Sequence, residues 1–153
     1  MLIEQKIEAL GYTLPQGGNS KAAFVSAKLV ADRLVFTSGC TPRRNGVMAY
    51  TGKCGTELSL EDSQEAARIA LVNALGAVKS VAGDLDRVKQ IVKLTGFVNS
   101  TLEFTAQPKV IDGASQLLKE LFGEDRGAHT RSAVGMAGLP GNAACEIELI
   151  AEI

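Results

Sequence analysis

RSAVGMAGLPGNAACEIELIAEI, residues 131–153, reads as two β-strands joined by a loop that holds Gly138, Leu139, Pro140, Gly141 and Asn142. Residues alternate over 131–137 and again over 144–152, the period-2 signal of a strand with two unlike faces. In the second run Cys145, Ile147, Leu149 and Ala151 point one way, and Glu146, Glu148, Ile150 and Glu152 the other. In the first run Arg131 shares a face with Ala133, Gly135 and Ala137, all small. A long cation over such a floor has open space beside it. It is either a solvated arginine on an exposed edge or a cation at a cleft. A hairpin centred near Pro140 would set Arg131 opposite a residue close to Ile150 rather than opposite Glu146.

Working back toward the N-terminus, Pro108 opens a helix that runs to about Phe122, anchored by Leu117, Leu118, Leu121 and Phe122. GEDRGAHT then leads into Arg131. Val88 to Val98 is a strand with Ile91-Val92 at its middle. Ser59, with Asp62 three residues on, starts a second helix. Its stripe of Ala67, Leu71, Leu75 and Val78 faces a sheet down to about Val81, and Gly83-Asp84 ends it. Ala66, Ala70, Ala74 and Ala77 make it slim enough for close approach. Gly39 to Gly55 is mostly loop, with a short strand near Val47–Tyr50 and a solvated arginine pair at Arg43-Arg44. Phe24 to Val30 and Arg33 to Ser38 are strands that turn at Ala31-Asp32. Residues 2–10 form a short amphipathic helix ended by Gly11, and TLPQGGNSK is a linker. Short links between antiparallel strands, with helices returning to one face, give an α+β class. The 153 residues are expected to form one domain, with residues 1–20 as an N-terminal helix-and-linker extension.

Apolar residues make up 46% and charged ones 22%, ordinary values for a soluble protein. A net charge of −1 gives no pull toward nucleic acid, and seven aromatic side chains make no stacking platform. The acidic Glu4 and Glu8 break up the N-terminus, which does not read as a secretory signal, and no run reaches membrane-spanning length. The expected location is cytoplasmic. Cys40, Cys54 and Cys145 form no CxxC pair or disulfide framework, and read as small hydrophobes. One histidine with scattered cysteines makes no metal site. Ser132 has no histidine–acid pair in its sequence context, and no glycine loop follows strand-to-helix logic, so neither a serine nucleophile nor a nucleotide cofactor is implied.

Several motifs fall in one order: F-T-S-G at Phe36–Gly39, K-L-T-G-F-V at Lys93–Val98, R-S-A-V at Arg131–Val134, Leu139-Pro140, and E-I-E-L-I-A at Glu146–Ala151. In this the chain resembles the RidA/YjgF family, the reactive intermediate deaminases earlier labelled endoribonucleases of the L-PSP type. It looks closest to a longer branch with an N-terminal extension and an H-x-R-S-A-V-G motif, here His129 to Gly135. The resemblance implies a chorismate-mutase-like fold, a homotrimer with clefts between subunits, and hydrolysis of imines or enamines without a cofactor. Arg131 matches the arginine that holds the carboxylate of a 2-imino acid, for which the planar guanidinium fork is suited. Glu146 matches the glutamate that positions the attacking water; its bland alternative is a solvated strand glutamate beside Glu148 and Glu152. Gly39 and the amide of Ala133 would bind developing charge.

Departures from the better-known members are equally specific. Ala133 replaces the site cysteine, Phe24 stands for the pocket tyrosine, the loop asparagine falls near Leu102, and Cys40 follows T-S-G where glutamine is common. His129 reads as a loop histidine that satisfies backbone groups. Two rival functions come with the resemblance: a non-catalytic binder of small carboxylic metabolites, and the endoribonuclease or translation inhibitor of the older label.

Overall fold

The structure is a computed structural model and describes residues 2–16 and 22–153; the rest of the linker, 17–21, lies outside them. Its elements are α1 (Leu2–Ala9), β1 (Ala27–Val30), β2 (Leu34–Thr37), β3 (Arg43–Arg44), β4 (Val47–Met48), α2 (Leu60–Ala82), β5 (Gln90–Asn99), α3 (Gln107–Gly127), β6 (Thr130–Met136) and β7 (Cys145–Glu152). Five strands form a sheet in the order β1-β2-β7-β5-β6, antiparallel except for β5 and β6. With α2 and α3 packed on one face of that sheet, the fold is α+β, as the order of elements in the sequence implies.

Alternation places the core. Val35, Ile91, Leu94, Val98, Cys145, Ile147, Leu149 and Ala151 are buried and share the helix-covered face. Fully burying one such aliphatic side chain contributes about 1.5–3 kcal/mol. The opposite face has no helix over it. Phe36 and Val134 are exposed there, and Glu146, Glu148 and Ile150 stand on the same side.

Each helix has a local cause. The Ser59 hydroxyl accepts the Asp62 amide at 3.0 Å, and Gly83, at φ 83°, turns the chain off while its N–H donates to the Lys79 carbonyl. Pro108 opens α3, and Gly123, at φ 84°, breaks it one residue past Phe122, where the sequence places its end. Gly113 lets α3 lie against the backbone of α2: a β-carbon there would be 2.5 Å from the Gln64 carbonyl oxygen. The extension docks rather than trails. Asp86 accepts the Leu2 and Ile3 amides, Ile3 and Ile7 are buried, and Lys79 pairs with Glu4 at 2.7 Å.

Three sequence readings are corrected. β6 and β7 do not form a hairpin: β5 lies between them, so Arg131 stands opposite Leu94 and Ile150 opposite Phe36 and Lys93. Alternation fixes which face a residue takes, not which strand lies beside it. The arginine pair is a strand, not a loop, because Asn45 (φ 51°) and Gly46 (φ 80°) make the two-residue turn of a β3–β4 hairpin. The first strand begins at Ala27, which leaves Phe24 exposed ahead of it.

Candidate functional site

Around Arg131 the structure assembles three polar side chains, those of Asp112, Ser115 and His129. The guanidinium Nη1 donates to Asp112 Oδ1 at 2.8 Å and to Ser115 Oγ at 3.1 Å. Ser115 Oγ lies 3.0 Å from His129 Nε2, and His129 Nδ1 lies 2.7 Å from the Gly127 carbonyl. A carbonyl only accepts, so Nδ1 carries a proton toward it; in the tautomer with that single proton, Nε2 accepts from the Ser115 hydroxyl. The hydrogen bonds then run unbroken from Nη1 of Arg131 through Ser115 and His129 to the backbone. Nε and Nη2 of Arg131 make no hydrogen bond to a described residue, so that edge of the fork is free. The side chain is 24% exposed and that of Asp112 43%, which makes the pair one of modest stabilising value, about 0–1 kcal/mol.

Asp112 and Ser115 were not singled out from the sequence. One helical turn apart, they interrupt the apolar run of Val110, Ile111, Ala114, Leu117 and Leu118 on α3. That polar notch on a buried stripe is the signal that could have found them. His129 does satisfy a backbone carbonyl as its sequence reading has it, and it also reaches Ser115. The open space beside Arg131 is therefore partly filled by α3, while Ala133, two residues along, pairs with Gly96.

A second group forms around Glu146. Gly39 is packed so closely against it that a β-carbon at position 39 would stand 1.8 Å from Glu146 Oε1. The next residue, Cys40, exchanges backbone hydrogen bonds with Ile147 at 2.8 and 2.9 Å. Burial, followed by the neighbouring Glu148, raises the Glu146 carboxyl above its ordinary value of 4.5. Burial, then Glu146 and Glu148, raises the Cys40 thiol to about 11. Cys54 and Cys145 are fully buried.

The two groups do not meet within one chain. Arg131 pairs with Leu94, which pairs with Leu149, and all three point toward the helices. Glu146 pairs with Phe97, which pairs with Val134, on the uncovered face. Arg131 and Glu146 thus occupy opposite faces of the sheet, with β5 between their strands. Phe24 is exposed next to the linker, and Leu102 is 96% exposed at the turn after β5. A cavity of about 620 Å³ opens elsewhere, between residues 11–16, the Gly39–Gly46 segment and α2, and reaches Gly39 and Cys40 but not Arg131. Among the described residues no cluster of His, Cys, Asp and Glu could hold a metal ion, and no helix is long and apolar enough to cross a membrane.

Comparison with known proteins covers nearly the whole chain. The model of the family described as "YjgF/chorismate mutase-like, putative endoribonuclease" matches residues 4–153. Protein TCP17 of Trypanosoma cruzi is 36% identical over 151 residues, covering 99% of this chain and 94% of that protein. A crystal structure of a protein with unknown function from Agrobacterium tumefaciens is similar with a TM-score of 0.90 and 40% identity, covering 99% of this chain and 93% of that one. A structure from Shewanella oneidensis MR-1, described as a "putative endoribonuclease", reaches 0.91 at 32% identity, with 100% of both chains covered.

Proposed function

The chain belongs to the YjgF/chorismate mutase-like family, and from that premise we propose that it hydrolyses reactive 2-imino acids to 2-oxo acids and ammonia. The free Nε–Nη2 edge of Arg131 carries this reading. A carboxylate docking there gains two charge-assisted hydrogen bonds in a fixed plane. Nη1 is already anchored by Asp112 and Ser115, so little side-chain freedom remains to be lost on binding.

Water attack is the task of Glu146. Its raised carboxyl pKa brings it nearer the range in which a base both accepts a proton readily and is ionised. Because Arg131 and Glu146 face opposite ways in one chain, the working site joins the Arg131 group of one copy to the Gly39–Glu146 group of another. The uncovered sheet face, with Phe36, Val134 and Ile150, suits burial against further copies, and a homotrimer is the assembly proposed. The amides at Gly39 and Ala133 would meet developing charge. No cofactor takes part, since the imine carbon is already electrophilic.

The test generates the imine with an amino-acid oxidase, traps it with semicarbazide, and follows the loss of trapped product as protein is added. Wild-type protein should lower the trapped fraction, and Arg131→Lys should lose at least ~10-fold of that effect because an ammonium cannot grip in two places. Untouched imine across several amino acids, with pyruvate still bound, would replace hydrolysis by simple binding of carboxylic metabolites.

A further inference from the structure

Imine hydrolysis at Arg131 and Glu146 leaves the cavity of about 620 Å³ without a role, yet the fold builds it with care over one face of α2. Ile69 and Val72 line it from the helix, with residues 11–16 of the extension on one side and the segment 39–46 on the other. Both flanks are tied to α2 at two points. At one, the Glu65 carboxylate accepts from the Tyr12 hydroxyl and from Arg44 Nη2, each at 2.9 Å. At the other, Asn73 Nδ2 donates to the Thr41 and Arg43 carbonyls, both at 2.9 Å. Nearby, Pro15 lies so close to Gly76 that a β-carbon there would stand 2.6 Å from its Cγ. Glu65 and Asn73 are separated by about 12 Å along the helix axis at 1.5 Å per residue. The space between the ties falls within the range of about 300–1,000 Å³ usual for pockets that hold small organic ligands.

We infer that this cavity is a second binding site, which takes a small monocarboxylate with an apolar body. Leu14, Pro15, Ile69 and Val72 supply apolar lining, and no Asp or Glu lines the cavity among the described residues, whereas Arg43 and Arg44 do. At the Glu65 end two guanidinium groups, those of Arg44 and Arg68, share one carboxylate, so the local charge is net positive. Tyr12 adds no negative charge, because burial, then its hydrogen bond to Glu65, raises its hydroxyl to about 12. A ligand carboxylate beside Arg44 offsets the excess cation, and its hydrocarbon body covers the α2 floor and expels water from it. The site opens beside α2, on the helix-covered side of the sheet, whereas Glu146 stands on the uncovered face, and Arg131 does not line it. It therefore stands or falls independently of imine hydrolysis.

Calorimetry with octanoate tests this, with acetate as the ligand that keeps only the charge and 1-octanol as the one that keeps only the apolar body. Wild-type protein should bind octanoate at least ~10-fold more tightly than either. Arg131→Lys should bind octanoate as wild type does, which separates the cavity from a carboxylate held at Arg131. Arg44→Gln changes a side chain that is 57% exposed, so its melting temperature should stay close to wild type. It should weaken octanoate at least ~10-fold while leaving octanol unchanged, the sign that the cavity is intact and only the charge is lost. Three results would overturn the proposal: no octanoate bound by wild type, binding lost in Arg131→Lys but kept in Arg44→Gln, or octanol bound as tightly as octanoate.

Discussion

Glu146 occupies the space that a side chain at position 39 would need. The missing β-carbon of Gly39 would lie 1.8 Å from Glu146 Oε1, 2.7 Å from its Cδ and 2.9 Å from its Cγ. Every obstructing atom belongs to the far part of a flexible side chain, and φ at Gly39 is not in the left-handed region. Gly39→Ala should therefore move the carboxylate rather than the backbone. The expected outcome is a melting temperature within a few degrees of wild type and imine turnover reduced on the order of 100-fold, the scale of an ångström-level misplacement. Thermal denaturation beside the trapped-imine assay measures both.

The opposite behaviour is expected of Gly113. A β-carbon there would be 2.5 Å from the Gln64 carbonyl oxygen and 3.0 Å from its carbonyl carbon and Cα, all backbone of α2. Ala is favoured over Gly in a helix by about 0.8–1.0 kcal/mol, but forcing two helices apart costs about 1–3 kcal/mol. Gly113→Ala should be net destabilising. At Gly96 the atoms nearest an added β-carbon belong to the Ile111 side chain, at 2.5 Å, rather than to backbone, so the cost of Gly96→Ala should be smaller. Urea midpoints of the two variants give the order.

The acid dependence has a definite sign. Burial, and Glu148 next, raise the Glu146 carboxyl in the folded protein above 4.5. Between the unfolded and folded values the native chain holds a proton that the unfolded chain has lost. Stability contributed by this group is therefore fully present below the unfolded value and falls as pH rises through the folded one. Glu146→Gln should remove that fall. If Glu146 accepts the proton from water, kcat/KM should rise over the same range, with its acid limb above 4.5. An acid limb below 4.5 would rule out Glu146 as that group.

The thiols should be slow and dispensable. At about 11, the Cys40 thiol supplies very little thiolate near neutral pH, and the thiolate is the reactive form. Iodoacetamide labelling of the folded protein should lag far behind that of urea-unfolded chain. Cys40→Ser, Cys54→Ala and Cys145→Ala should each keep imine turnover within about threefold of wild type, as expected where no thiol touches the reacting atoms. Complete loss with Cys40→Ser in a folded protein would place a thiol in the mechanism.

What the sequence made legible was what local chemistry decides. The Ser59 cap, the stop at Gly83, the opening at Pro108 and the alternation of β7 are each written within a few residues, and each is found. The motif order carried the family. Strand neighbours were not legible, because the alternation of Thr130–Met136 is the same whether its partner is β7 or β5. Nor was the Asp112–Arg131 pair, whose members are 19 residues apart and meet only through the packing of α3 on β5 and β6. Sequence also placed Arg131 and Glu146 in one functional statement, and their opposite orientations follow only from the register across β5.

The last strand of the chain, β7, lies in the middle of the sheet, with β2 on one side and β5 on the other. During synthesis from the N-terminus, the β1–β2 hairpin and the β5–α3–β6 unit emerge first and share no sheet partner. Their inner edges stay open until β7 has left the ribosome, and open strand edges invite pairing with other chains. The sheet is thus closed by β7, a wedge between two units that precede it. A nascent chain stalled before β7 would be unable to close the sheet, and a stop codon ahead of Cys145 would yield aggregate rather than a smaller folded protein.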